Sequence, residues 1–141
     1  MGRRKRTILV DPIRLRWGLK EAICSFCRDV LVSRGLLRPD ALDEPGIGAE
    51  QERVVFAVSR RWQSREVAFE PDDPPSAQSV LESGAMAPAA IDAIDRFCRE
   101  ALIPAGLLAE SDWDSRELDS LKYAIARRVS RGWVSDAKVA D

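Results

Sequence analysis

Residues 22–37 read AICSFCRDVLVSRGLL, and residues 93–108 read AIDRFCREALIPAGLL. The two stretches stand 71 positions apart and align without a gap. Ala22, Ile23, Phe26, Cys27, Arg28, Leu31, Gly35, Leu36 and Leu37 each meet the same residue type in the second stretch. The apolar members recur at three- and four-residue steps, the spacing of one helix face. Gly35 and Gly106 stand where that periodicity stops, as glycine does when it closes a helix in the left-handed conformation. The Leu-Leu pair that follows then tucks under the helix end.

Extending the alignment to 22–64 over 93–135 adds Asp43, Val58, Ser59, Arg60, Trp62 and Ser64, so fifteen of the 43 positions are identical. Each unit reads as helix, glycine stop, Leu-Leu, loop, helix, tryptophan. One such hairpin cannot bury its apolar stripe alone, but two packed together can. The expected fold is therefore all-α, with about five helices. Two repeated hairpins at a 71-residue offset form a bundle with approximate two-fold symmetry.

Outside the repeat, Asp11-Pro12 starts the first helix, with Asp as cap and Pro at the first helical position. Its buried stripe is Leu15, Leu19, Ala22 or Ile23, Phe26 and Val30. A second helix is expected over about 49–64, with Val54, Ala57, Val58 and Trp62 inward. Residues 65–75 read as an acidic, Pro-rich connector and 76–83 as a short bridging helix, together making the join at 65–92. Pro88 opens the next helix, and Asp114-x-x-Glu117 resembles the capping box of the last. Residues 1–10 are expected to be a flexible basic arm, and 11–141 a single helical domain.

The composition excludes several classes. The chain has no histidine, which removes Ser-His-Asp and Cys-His nucleophile systems and most zinc sites. Cys24-x-x-Cys27 offers two metal ligands on one helix face, but only Cys98 remains to complete a set. Cys27 and Cys98 are repeat equivalents beside Phe26 and Phe97, the place for a small apolar filler. Gly46-x-Gly48 lacks the third glycine and the lysine of a phosphate loop. Asp112-x-Asp114 lacks the later ligands of a calcium loop. A non-enzyme without cofactor or metal is expected. No apolar run approaches the length needed to span a membrane, and Asp11 cuts short the apolar segment after the basic start. A cytoplasmic protein is expected.

The net charge is −1, yet residues 1–20 carry Arg3, Arg4, Lys5, Arg6, Arg14, Arg16 and Lys20 against Asp11 alone. That segment suits a phosphate backbone. Arg60-Arg61 beside Trp62, and Arg127, Arg128 and Arg131 near Trp133, place more arginines at two equivalent helix ends. Arginine beside tryptophan supports base stacking. It also follows from the preference of cations for helix C-termini, with the tryptophans sealing the core.

These features lead to a nucleic-acid-associated accessory protein that grips phosphates, RNA or DNA, alongside other protein subunits. The connections within each hairpin, about a dozen residues, are long for a helix-turn-helix. In size, helical content and arginine usage the chain resembles the small subunits of CRISPR effector complexes. The resemblance is architectural, rests on no motif and carries over no residue. A phage or plasmid packaging or partition accessory fits the same features. The other reading is a protein–protein adaptor or inhibitor, whose arm meets an acidic partner without touching nucleic acid.

Overall fold

A computed structural model describes the backbone of residues 4–62, 64–69 and 86–140, and the side chains of residues 10–62 and 86–130. The core is all-helical. In chain order the elements are β1 (Arg4–Leu9), α1 (Pro12–Phe26), a 3-10 turn (Ala41–Asp43), α2 (Ile47–Trp62), β2 (Ser64–Phe69), α3 (Ala87–Phe97), α4 (Glu110–Trp113) and α5 (Arg116–Ala140). Beyond its α-helical part α1 widens into a π-helix over Cys27–Val32, and α3 does the same over Cys98–Leu102.

The Asp11 side chain accepts a hydrogen bond from Ile13 N at 2.9 Å, capping α1 as its sequence demands. The wide turns and stops of the two units match bond for bond. Leu36 N donates to Leu31 O (2.9 Å) and Leu107 N to Leu102 O (3.0 Å). Gly35 N donates to Val32 O and Gly106 N to Ile103 O, both at 3.0 Å. Gly35 and Gly106 have φ of 74° and 75°, a region that side-chain-bearing residues occupy at a cost. A Cβ at either position meets open space, so only the backbone penalty applies. Gly35→Ala and Gly106→Ala are each expected to lower stability by about 1 kcal/mol, read from urea unfolding midpoints. An unchanged midpoint would show that the left-handed turn is not held.

Four long helices make the core. α1 and α3 pack against each other, and α2 and α5 each pack on both of them, so α1 and α3 lie between α2 and α5. Phe26, Phe97, Leu15, Leu19, Ile23, Leu31, Ile94 and Leu102 are fully buried there. Val55 is buried beside Val54 and Val58, whereas Ala57 and Trp62, expected inside, are only half-buried. Ser59 and Ser130, which are repeat equivalents, are buried, and neither hydroxyl has a hydrogen-bond partner among the described residues.

Ion pairs tie one hairpin to the other. Arg53 of α2 reaches Glu100 at the end of α3 (3.0 Å), and Arg128 of α5 reaches Asp29 at the end of α1 (2.7 Å). Glu100 and Asp29 are themselves 71 positions apart. Arg34 adds a third link to Glu117, at 2.7 Å.

The structure corrects the sequence reading at three places. Residues 4–9 are not a loose arm. They form β1, paired antiparallel with β2 from Arg4 opposite Phe69 to Leu9 opposite Ser64. The Thr7-Ile8-Leu9-Val10 run favours a strand once Val67 and its neighbours supply a backbone partner. For the same reason residues 64–69 are a strand rather than the end of a helix and the start of a connector. Third, α5 starts at Arg116, not Asp114, because residues 110–113 form a short helix of their own that buries Trp113. The bridging helix expected at 76–83, and the acidic run before it, lie outside the described residues.

Candidate nucleic-acid interface

The α1–α2 hairpin runs antiparallel, and its outer side can be followed turn by turn. Lys20 Nζ meets Glu52 Oε1 at 3.0 Å. One turn towards the start of α1, the Arg16 guanidinium lies over the Phe56 ring, 4.6 Å from its centroid. Another turn along α2 is Arg60, and beyond it Ser64 pairs with Leu9 in the two-stranded ribbon. Arg60 is therefore level with the first turn of α1. The strand bearing Arg4, Lys5 and Arg6 leads away from the same end.

Helical spacing turns Leu15, Leu19, Ala22 and Phe26 of α1 inward and leaves Ile13 and Trp17 outside. They are 54% and 75% exposed, with Phe56 at 48%. Ile13 and Trp17 are one turn apart, so they form one outer stripe beside Arg16.

Ion pairing sorts the expected cations. Lys20 is bound to Glu52, Arg61 lies 3.7 Å from Asp92, and Arg128 is bound to Asp29. Arg61 also lies over the Trp62 ring, whose Nε1 donates to Asp92 at 3.0 Å. Arg14 stands 4.0 Å from Asp11. Among the described residues no carboxylate pairs with Arg16, Arg60 or Arg127. Arg127 lies over Tyr123 at 5.7 Å. For Arg4, Lys5 and Arg6 the backbone position in β1 is described, and for Arg131 its place in α5. Arg3 is outside the described residues.

The cations thus fall into two groups. Arg14, Arg16, Lys20, Arg60 and Arg61 flank the α1–α2 hairpin and the ribbon. Arg127 and Arg128 stand on α5, across the bundle. Phe56 is the residue that sequence reading missed. It is an aromatic residue beside the Val54–Val55 pair and off the inward stripe, which is the signal that could have found it.

Two of the three cysteines are buried in the core. Burial pushes the Cys27 thiol up to about 12, helped by nearby Cys24, and pushes Cys98 up strongly as well. Both stay protonated near neutral pH, where a thiol is a poor nucleophile and ligand. Cys24 accepts a hydrogen bond from Gln51 Nε2 at 3.2 Å. Among the described residues no group of three or more Cys, Asp or Glu side chains is placed to hold a metal ion. Nor is any helix among them long and apolar enough to cross a membrane.

Glu100 is one perturbed carboxylate of the surface network. The Arg96 hydrogen bond, opposed by partial burial and reinforced by Arg53, holds it below its ordinary range. It is an ion-pair partner between helices.

Comparison with protein-family models, with curated proteins and with solved structures finds no match.

Proposed function

We propose that this chain is a non-enzymatic, nucleic-acid-associated accessory protein that acts as a helical subunit of a nucleoprotein assembly and contacts the phosphate backbone. The reading is carried by two basic segments, the first half of β1 and the paired ends of α1 and α2, joined through residues 7–11. The Arg4-Lys5-Arg6 strand leads into the end of the α1–α2 hairpin, where Arg16 and Arg60 have no carboxylate partner among the described residues. A guanidinium without an acidic neighbour keeps its full charge and its fork of donors for phosphate. The three free thiols suit a cytoplasmic setting.

We also infer that the bundle arose by duplication and is approximately two-fold. The matched hydrogen bonds after Leu31 and Leu102 support this, as do the Arg53–Glu100 and Arg128–Asp29 links, whose acidic ends are repeat equivalents though their arginines are not. In that arrangement the basic segments belong to one hairpin and are not part of what the two share.

Binding of the intact protein to single- and double-stranded oligonucleotides across a salt series tests the function. Affinity is expected to fall steeply with salt. Replacing Arg4, Lys5 and Arg6 together by alanine is expected to reduce the logarithmic slope by roughly 2 to 3, about 0.7–0.9 for each phosphate no longer neutralised. No binding at the lowest salt would sink the reading for the isolated protein. The second reading, an adaptor that meets only protein, rests on the exposed Ile13–Trp17 stripe and would then be preferred.

A further inference from the structure

We infer that Trp17 is a stacking platform for an unpaired base, so that the nucleic acid taken by this face is single-stranded. The inference rests on the nucleic-acid reading above and goes beyond it to the kind of strand.

Trp17 is the most exposed large apolar side chain among the described residues, at 75%. It stands in the middle of α1, on a rigid element. It is followed in space by Ile13 one turn away, and Arg16 precedes it in the chain. Arg16 is itself held by the Phe56 ring at 4.6 Å. The cation–π contact fixes the guanidinium against α2 without neutralising it. Trp17 is thus the next residue on α1 after a cation that is anchored on Phe56 and meets no carboxylate among the described residues, while Lys20 and Glu21 lie one turn further along its own face. A nucleotide offers the complement, a flat base joined to an anionic phosphate. Single-strand binders combine these two elements, stacking aromatics and a basic track.

The repeat provides an internal control. At the 71-residue offset Arg16 and Trp17 correspond to Ala87 and Pro88 of α3, and Phe56 corresponds to Arg127. α3 forms and packs on the same neighbours without any of them. The fold does not require an indole at this position, so its exposure is not a by-product of core packing.

The choice of a single strand follows from where base faces are free. In a duplex both faces of each base are already stacked, and an inserted side chain must unstack a step at a cost of a few kcal/mol. A single strand presents its faces without that cost. A protein partner matches the site less well, because Arg16 and Arg60 would have to be met by carboxylates in addition to an apolar contact.

The test uses the full-length protein with an oligothymidylate single strand and a duplex of the same length. Binding is followed by fluorescence anisotropy at two salt concentrations and by quenching of tryptophan emission. Trp17→Ala is expected to weaken single-strand binding roughly 5- to 150-fold, the range for loss of one stacked base. Duplex binding, the salt slope and the unfolding midpoint should be unchanged. Trp17→Phe should keep most of the affinity but lose the Trp17 share of the quenching. Equal binding of wild type and Trp17→Ala to the single strand overturns the stacking role while leaving the phosphate reading intact. So does an equal loss on single strand and duplex. Absence of binding to either by the wild type overturns both and leaves the stripe to a protein partner.

Discussion

Trp113→Ala is expected to destabilise the protein by about 3–5 kcal/mol, the usual cost of emptying a large buried aromatic site. Trp113 is 5% exposed and meets Phe26 edge-on, with ring centroids 5.9 Å apart and planes at 82°. Such an aromatic pair adds about 0.5–1.5 kcal/mol beyond the buried area. Lys122 Nζ lies 4.6 Å from the indole centroid on a different contact. The ring therefore joins three elements: the short helix α4, the end of α1 from the first hairpin, and α5 from the second. Domains of this kind have total stabilities of about 5–15 kcal/mol, so the loss would take a large share. The equivalent position in the first unit is Leu42, which is half-buried. Trp113→Leu should therefore cost less than the alanine variant. Urea unfolding would measure both, with an unchanged m-value marking a change in stability rather than in the unfolded state. A loss below about 1 kcal/mol for Trp113→Ala would mean that α4 is not part of the cooperative core.

The second large effect is expected at Lys122. Its side chain is only 11% exposed, and it sits 2.9 Å from Asp119, 3.5 Å from Asp95 and over the Trp113 ring. Its hydrogen bond to Asp119 holds that carboxyl below its usual range. Lys122 is largely buried, but Asp119 is 69% and Asp95 32% exposed, so removing the ammonium costs its hydrogen bonds and ring contact rather than stranding a buried carboxylate. Lys122→Gln is expected to cost about 2 kcal/mol. This is less than for a fully buried pair, because Arg99 still reaches Asp95 at 3.2 Å. The first unit shows the alternative solution. Positions 24 and 51, equivalent to 95 and 122, are a Cys–Gln pair joined by one hydrogen bond. Adding Asp95→Cys to Lys122→Gln copies that pair and should recover part of the loss. If the double variant is less stable than the single one, Asp95 has a role that does not depend on Lys122.

Both predictions concern places where the two hairpins differ, and here the sequence was least informative. Residue by residue, Lys122 reads as one more surface charge, and nothing local tells that Asp95 and Trp113 converge on it. The same holds for the cations of the candidate interface. Arg16, Lys20, Arg60, Arg61 and Arg128 look alike in the sequence. Lys20, Arg61 and Arg128 turn out to have acidic partners on other helices. Arg16 is held by Phe56 instead, and Arg60 is left without a carboxylate among the described residues. Pairing across 31 to 99 positions depends on how helices dock, which no local pattern carries.

The AICSFC and AIDRFC stretches did carry the helical fold. Their spacing, the glycines at 35 and 106 and the Leu-Leu pairs are local instructions, because a helix stops where its own backbone must turn left-handed. Sequence alone therefore determined the long helices of the core, the two glycine stops and most of the buried stripe. Tertiary structure decided that residues 4–9 are a strand, since a strand needs a backbone partner and β2 lies some sixty residues on. It also decided which arginines meet no carboxylate among the described residues and that Trp17 stays outside, because both depend on what each neighbouring helix brings to the contact.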